Sequence, residues 1–170
     1  MHIKIANTED IDVIMGVFDA AKQFMHKIGN DKQWIDGYPS KDFLLGNIRD
    51  GGLYVCLSDD EQIVGAFYFK VEADKTYAKI YDGAWLNDKP YGVVHRIASN
   101  GKQKGIGDAC LQWCFAQCGN IRVDTHRDNT VMQNILNRNG YQRCGIIIVA
   151  NGTERIAYQK SGTNTSLHKG

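Results

Sequence analysis

The spacing of hydrophobic residues changes several times along the first part of the chain, and each change predicts a new element. Apolar and polar side chains alternate over residues 2–6, which is typical of a strand. From residue 11 to residue 25 the apolar residues recur every three or four positions, which predicts an amphipathic helix that ends near Gly29-Asn30. Ser40 is a suitable N-cap for a second, short helix, and the break at Asp50-Gly51-Gly52 ends that helix.

Strands and helices alternate through the remainder of the chain, separated by turns that contain glycine. The predicted strands are 53–57, 62–71, 78–81, 92–98, 121–126, 142–149 and 155–158, and the predicted helices are 105–117 and 129–138. Asn151-Gly152 suits a type I′ turn in the last hairpin. Because helices and strands alternate within one unit, the predicted fold class is mixed α/β, with one domain over residues 1–160. The polar end, residues 161–170, is expected to be a disordered tail.

The composition is that of a globular protein and excludes several classes of partner. The 170 residues are 43% hydrophobic and 23% charged, and the formal net charge is +1. This charge gives no bulk bias toward nucleic acid or acidic membranes. No apolar run approaches the roughly 20 residues that cross a bilayer, and the alternating N-terminal strand does not resemble a signal peptide. We therefore expect a soluble, cytoplasmic protein without nucleic-acid or membrane partners.

Five cysteines occur in the chain, without a C-x-x-C pair. Cys110, Cys114 and Cys118 are spaced four residues apart, which places them along one face of the predicted helix. Further ligands at a suitable spacing, which a metal site would need, are not found. In a chain without an export signal we interpret the cysteines as reduced core residues, and we predict no metal.

The segment with the clearest chemical content joins the strand at 92–98 to the helix at 105–117. Gly101-Lys102-Gln103-Lys104-Gly105-Ile106-Gly107 places glycines and lysines at a helix start, where unpaired backbone N–H groups and the helix dipole favour anions. This pattern predicts a nest for a pyrophosphate. A nucleotide-triphosphate loop would have Lys after Gly105, where this chain has Ile, and the pattern G-x-G-x-x-G fails because its last position is Cys110.

Two segments resemble the GNAT superfamily of N-acetyltransferases. The acyl-CoA loop of that family reads (Q/R)-x-x-G-x-(G/A), and Lys102–Gly107 matches both glycines and keeps a cationic donor in the first place. The next family segment reads N-x-x-(A/M)-x-x-(L/I)-(Y/L)-x-(K/R)-x-G-(F/Y), which Asn129–Tyr141 matches throughout. The order of elements over residues 1–160 is also similar. The resemblance implies a twisted mixed sheet of about six to seven strands, splayed between strands 4 and 5, with helices on both faces.

Three further segments look like uncharacterised bacterial members of the same family. They are Q-W-I-D-G-Y-P at Gln33–Pro39, D-G-A-W-L-N-D-K-P-Y at Asp82–Tyr91 and D-T-H-R-D-N at Asp124–Asn129. This likeness does not name an acceptor substrate.

The resemblance implies acetyl-CoA as co-substrate. Its pyrophosphate is expected on the amides of the loop, and its pantetheine arm is expected along the fourth strand. The start of the following helix is expected to form a hydrogen bond with the co-substrate. The expected cofactor-binding residues are Ile97, Ala98, Ser99, Lys102, Gln103, Lys104, Gly105, Ile106, Gly107 and Asn129.

The catalytic groups are less well defined by the pattern. Leu136 occupies the position of the tyrosine that usually protonates the leaving thiolate, so either Tyr141 or water takes that role, or the thiolate leaves unassisted. For the general base, His95 is the first candidate, because it interrupts an apolar strand and imidazole titrates near neutral pH. His126 is the second. A core histidine and a surface histidine are the structural alternatives for these two positions.

Aromatic and acidic residues of two loops are candidates for binding the acceptor. Packing of the loops and solvation of the carboxylates are the alternative explanations. These candidates are Trp34, Asp36, Tyr38, Asp82 and Trp85.

The predicted function is transfer of an acetyl group from acetyl-CoA to a primary amine by direct attack. The alternative is a non-catalytic acyl-CoA binder or sensor, which Leu136 favours. A nucleic-acid module using Arg96, Lys102 and Lys104 does not fit the near-neutral charge. The acceptor, a small molecule or a peptide amine, is left open, as is a possible homodimer.

Overall fold

The computed structural model describes residues 1–162, which form one mixed sheet with helices on both of its faces. Residues 163–170, most of the predicted tail, lie outside the described residues. The strands are β1 (His2–Ile5), β2 (Leu53–Leu57), β3 (Ile63–Val71), β4 (Gly92–Ser99), β5 (Asn120–Thr125), β6 (Gln142–Ile148) and β7 (Glu154–Ser161). The α-helices are α1 (Ile11–Lys27), α2 (Lys41–Arg49), α3 (Ile106–Cys118) and α4 (Thr130–Arg138).

The sheet parts between its two parallel strands. Its order is β1-β2-β3-β4-β5-β7-β6, and β4 and β5 are its parallel pair. They pair only from Gly92 opposite Ile121 to Val94 opposite Val123, whereas β4 stays paired with β3 as far as Ser99. The predicted fold class and the splay between the fourth and fifth strands are thus confirmed.

Local capping explains where two helices begin. The Ser40 side chain accepts a hydrogen bond from the Phe43 N–H at 3.1 Å, so α2 begins where the sequence predicts. Asn129 caps α4 in the same way, since its Oδ1 accepts from the Met132 N–H at 3.0 Å. Each cap pairs one of the N–H groups that a helix start leaves without a partner.

Apolar side chains fill both sides of the sheet. On one side α3 and α4 cover residues such as Phe67 and Val94, and on the other α1 and α2 cover residues such as Leu53 and Val55. All five cysteines are free, and four of them are buried. Cys56 and Cys110 approach to 3.5 Å between sulfur atoms inside the first core. They pack there as small apolar residues, as expected.

Three sequence predictions are wrong in detail. Residues 78–81 do not form a strand, because only Tyr81 makes a bridge, to Ile146. The last hairpin has no type I′ turn, since Gly152 has a φ of 83° while Asn151 is not among the positive-φ residues. The Gly152 N–H instead bonds the Val149 carbonyl at 2.8 Å, as in a longer loop that ends on a left-handed glycine. Ser161 belongs to β7 rather than to a tail.

Two further properties hold for the part of the chain that the structure describes. None of its helices combines the length and apolar character that crossing a bilayer requires. Within residues 1–162, no three or more His, Cys, Asp or Glu side chains come together in a way that could hold a metal ion.

Candidate functional site

A groove opens where β4 and β5 part. Its volume is ≈ 550 Å³, within the range of small-molecule sites. The C-terminal half of α1 forms one wall, and the first turns of α3 and α4 form another. The lining residues are Ala20, Ala21, Gln23, Phe24, Met25, Lys27, Gln33, Trp34, Val94, Arg96, Ile97, Ser99, Asn100, Gly101, Gly107, Val123, Asp124, Thr125, Asn129, Val131, Met132 and Ile135.

The start of α3 lies at one end of this groove and presents unused backbone donors. Within residues 1–162, none of the backbone N–H groups from Gln103 to Gly107 donates a hydrogen bond. Gly105, the N-cap, has a φ of 80°, a conformation that L-residues with a Cβ rarely adopt. Lys102 and Lys104 are exposed beside these donors. A helix start with free N–H groups and adjacent cations attracts an anion.

Short side-chain contacts shape the loop that leads to α3. The Gly101 N–H donates to Ser99 Oγ at 3.1 Å, and the Lys102 N–H donates to Asn100 Oδ1 at 3.0 Å. These bonds use the donors just before Gln103 and leave the later ones free. At Gly107 an added Cβ would lie 3.0 Å from Ile135 Cδ1, so the absence of a side chain lets α3 and α4 approach each other beside the groove.

The one acidic residue in the first turn of α3 is already paired. Asp108 accepts two hydrogen bonds from the Arg138 guanidinium, at 2.8 and 2.6 Å, and a third from Asn139 at 2.7 Å. The bond from Arg138 is the main reason that the pKa of Asp108 is lowered. The pairing cancels a negative charge that would oppose an anion at the helix start.

A bulge in β4 brings Arg96 to the groove. Arg96 has a φ of 55°, and the pairing of β3 with β4 shifts register at this point. Its guanidinium donates to the Tyr38 hydroxyl at 2.8 Å and to Asn47 Oδ1 at 2.7 Å, and it lies over the Phe43 ring at 4.7 Å. Arg96 thus ties α2 and the α1–α2 loop to the groove wall.

His95 does not line the groove but lies beside it, paired with an ionised carboxylate. Its Nε2 is 2.9 Å from Asp74 Oδ2. Burial alone would raise the pKa of Asp74, but hydrogen bonds from His95 and from Thr76 outweigh burial and lower that pKa to about 2. Tyr91 holds the Asp74 backbone, since its hydroxyl accepts from the Asp74 N–H at 2.9 Å.

A second carboxylate, Asp124, forms part of the groove wall. Its Oδ2 accepts a hydrogen bond of 2.6 Å from the hydroxyl of the buried Tyr77. Burial, and then the charge of Asp124, raise the pKa of Tyr77, so this hydroxyl keeps its proton and stays a donor. The ring of Tyr77 is 6.1 Å from the ring of His95. The His95–Asp74 pair is therefore a neighbour of the groove wall at Asp124.

The predicted cofactor residues fall into three groups. Ile97, Ser99, Gly107 and Asn129 line the groove, and residues 102–105 lie at its end. The side chains of Ala98 and Ile106 are buried in the two cores, so only their backbone could contact a ligand.

The two other predicted catalytic residues do not reach the groove. Tyr141 is buried in the core under α3 and α4, and burial raises the pKa of its hydroxyl. Leu136 is fully buried in the same core. His126 is buried beside a different cavity, where its Nδ1 accepts from the Asp128 N–H at 3.0 Å. Burial, followed by the charge of Arg155, lowers the pKa of His126.

The predicted acceptor residues are also divided. Trp34 lines the groove and packs on Phe18 at 5.5 Å between ring centroids. Asp36 and Asp82 are exposed in loops and do not line it. Trp85 donates from Nε1 to the Tyr77 carbonyl at 2.9 Å and holds the 72–91 segment in place.

The groove residues that sequence reasoning missed include Gln33, Asp124 and Arg96. Asp124 and Gln33 lie in segments that resemble bacterial family members, but nothing local indicates that their side chains face the groove. For Arg96 the sequence suggests only a nucleic-acid contact. The positive φ that turns it toward Tyr38 is a property of the paired strands.

Comparison with solved structures gives many matches, whereas neither the sequence families nor the curated proteins include a match to this chain. An acetyltransferase of the GNAT family from Streptococcus agalactiae 2603 is 33% identical, with a TM-score of 0.86 over 95% of each chain. One from Listeria monocytogenes 4b F2365 is 18% identical, with a TM-score of 0.67 over 94% of this chain and 93% of that one.

A more distant match shares the fold alone. A phosphinothricin acetyltransferase from Sinorhizobium meliloti, solved in complex with AcCoA, is 15% identical, with a TM-score of 0.63 over 97% of this chain and 90% of that one. The groove and the loop at Lys102–Gly107 are consistent with the identity to the streptococcal protein, which extends over almost the whole chain. This chain belongs to the GNAT family of acetyltransferases.

Proposed function

We propose that this protein is an N-acetyltransferase that moves an acetyl group from acetyl-CoA to a primary amine by direct attack. The observation that carries the proposal is the run of unused N–H groups from Gln103 to Gly107 at the end of a groove between two parting strands. A diphosphate followed by a long thioester arm has the charge and length that such a site accepts. The distant relative solved with AcCoA supports the choice of co-substrate.

The acyl donor would be held by the loop before α3 and by the uncovered edge of β4. The amides of Gln103–Gly107, with Lys102 and Lys104 nearby, would hold the pyrophosphate. The edge of β4 from Ile97 to Ser99, which β5 no longer covers, would pair with the amides of the pantetheine arm. Asn129 is already engaged, because its Oδ1 caps α4 and its Nδ2 donates to Gln33 at 3.2 Å. Because Nδ2 carries two N–H groups, the second one is left to bind the acyl donor.

The reaction requires an amine nitrogen that attacks the thioester carbonyl, a base that takes a proton from this nitrogen, and departure of the thiolate as the C–S bond breaks. We propose Asp124 as the group that binds the incoming ammonium, because it is an acidic residue of the groove wall. With the amine held there and the thioester on β4, the two reactants would meet between the parting strands.

We propose His95 as the base. Asp74 is ionised and can only accept, so it fixes the proton on Nε2 and leaves Nδ1 of the neutral ring as an acceptor. Because His95 does not line the groove, the proton would reach it through water. With Leu136 and Tyr141 in the core, we propose that the thiolate leaves without a protein acid.

An acceptor screen tests this proposal. The protein is incubated with acetyl-CoA and a panel of primary amines, including amino acids, polyamines and peptides, and both thiol release and acetylated product are measured. We expect turnover with at least one amine. Saturable binding of acetyl-CoA without thiol release, whichever amine of the panel is present, would overturn the proposed enzymatic activity. That result would favour an acyl-CoA sensor.

A further inference from the structure

A second cavity lies outside the groove, at the end of β5 and the start of β7. Its volume is ≈ 780 Å³. Four permanent cations line it, against a single carboxylate, Glu154. The cations are Lys32, Arg127, Arg143 and Arg155. We call this cavity the basic pocket.

The four cations have no anionic partner in the part of the chain that the structure describes. Each of the ion pairs found within residues 1–162 involves other residues. The pocket therefore concentrates positive charge in a chain whose net charge is only +1. Charge concentrated in a concave site raises the local concentration of anions.

Arg155 is the most informative of the four, because it is only 6% exposed. Its guanidinium donates to neutral oxygens, namely Thr153 Oγ1 at 2.9 Å and the Glu154 carbonyl at 3.0 Å. Burial lowers its pKa, and the negative potential of Asp124 only partly opposes this. A buried guanidinium without a carboxylate on it is costly, and an anion that enters the pocket would offset that cost.

His126 reports the same excess of positive charge. It lines the basic pocket and is 8% exposed. After burial, the charges of Arg155, Arg127 and Lys32 lower its pKa, while Asp128 acts in the opposite direction. The lowered pKa of His126 is thus a consequence of the same uncompensated cations that line the pocket.

We propose that the basic pocket is a binding site for a small oxyanion ligand, one that carries phosphate or carboxylate groups, distinct from the acyl donor in the groove. Guanidinium groups bind both kinds of oxyanion through paired N–H donors. The two sites share a wall, because the Gln33 side chain lines the groove while its carbonyl accepts from Arg155 at 3.4 Å. A ligand in the pocket could therefore affect the groove through Gln33.

The probes are pyrophosphate and citrate, titrated at constant ionic strength and followed by calorimetry and by the NMR signals of the His126 ring. We expect saturable binding and a rise in the pKa of His126, since a bound anion cancels the charges that depress it. Failure of both probes to bind the wild-type protein would overturn the proposal.

Variants that each remove one positive charge test where the anion binds. Arg143→Gln and Lys32→Gln change exposed residues, so the fold should persist, and we expect each to weaken binding by about tenfold. Lys4→Gln is the matched control, because it removes one charge from β1 at the opposite edge of the sheet, and it should leave binding unchanged. Equal weakening by Lys4→Gln and Arg143→Gln would show non-specific attraction and refute the site.

The alternative source of an oxyanion is the 3′-phosphate of CoA itself. Binding of CoA and of dephospho-CoA is therefore compared in wild-type protein and in Arg143→Gln. The proposal predicts that the variant loses no affinity for either. A loss for CoA alone would make the basic pocket part of the cofactor site and overturn the proposal of a separate ligand.

Discussion

Replacing Gly105 by valine tests the anion nest at the start of α3 directly. Gly105 has a φ of 80°, and an added Cβ would meet no atom within 4 Å. The substitution is therefore opposed by backbone conformation, at about 1–2 kcal/mol, rather than by a clash. To relieve this strain the backbone must rotate, which turns the N–H groups around residue 105 away from their common direction.

The substitution should change both the stability of the free protein and the stabilisation by acetyl-CoA. The strain should lower the melting temperature of the free protein by about 2–8 °C for a chain of this size. Acetyl-CoA at a hundred times its Kd should stabilise the wild-type protein by about 2.7 kcal/mol, or roughly 5–11 °C. Loss of two charge-assisted hydrogen bonds, at about 1.5–3 kcal/mol each, is enough to remove that gain.

The assay is thermal unfolding with and without acetyl-CoA, and Gly51→Val is the matched control. Gly51 has a φ of 79° and equally open surroundings, but it follows α2 and does not line the groove. Both variants should lose similar stability, while only Gly105→Val loses the shift caused by acetyl-CoA. A full shift in Gly105→Val, or the same loss of shift in Gly51→Val, would refute the assignment of the loop.

Three further predictions concern the charged groups around the site. His95→Gln should lower the acetylation rate by about 10²–10⁴-fold with acetyl-CoA affinity unchanged, and a wild-type rate in the variant would exclude His95 as the base. Asp74→Asn should cost up to about 2 kcal/mol of unfolding free energy near neutral pH, because the folded-state pKa of Asp74 is depressed and its contribution is fully present above the ordinary value of 3.8. The difference between wild type and variant in chemical denaturation should shrink as the pH falls from 3.8 toward about 2, and a constant difference would contradict the ion pair. Arg138→Gln should weaken acetyl-CoA binding most at low salt, because it releases the Asp108 charge at the start of α3. Adding Asp108→Asn should restore binding, and no recovery in the double variant would show that the charge is not the cause.

Features that depend on short stretches of chain could be predicted from the amino-acid sequence. Helix starts at Ser40 and Asn129 follow from a capping side chain and the N–H group three residues later. The nest at Lys102–Gly107 follows from glycines and lysines at a helix start, because unused N–H groups there are a property of any helix. Periodicity predicted all seven strands and four helices to within a few residues, apart from an extra strand at 78–81.

Contacts between groups that are distant in the sequence depend on how the whole chain packs. Asp74 pairs with His95, and Tyr77 pairs with Asp124, although 21 and 47 residues separate the partners along the chain. The segment at 72–91 that supplies Asp74 and Tyr77 has little regular structure, so periodicity carries no information about its side chains. Tyr141 and His126 were catalytic candidates in the sequence but face the core and the basic pocket, because the direction of a side chain depends on the packing of α3, α4 and β7 around it. Local hydrogen bonding thus determines the conformation of the loop that would hold the acyl donor. Long-range packing determines which carboxylates and imidazoles lie near the groove.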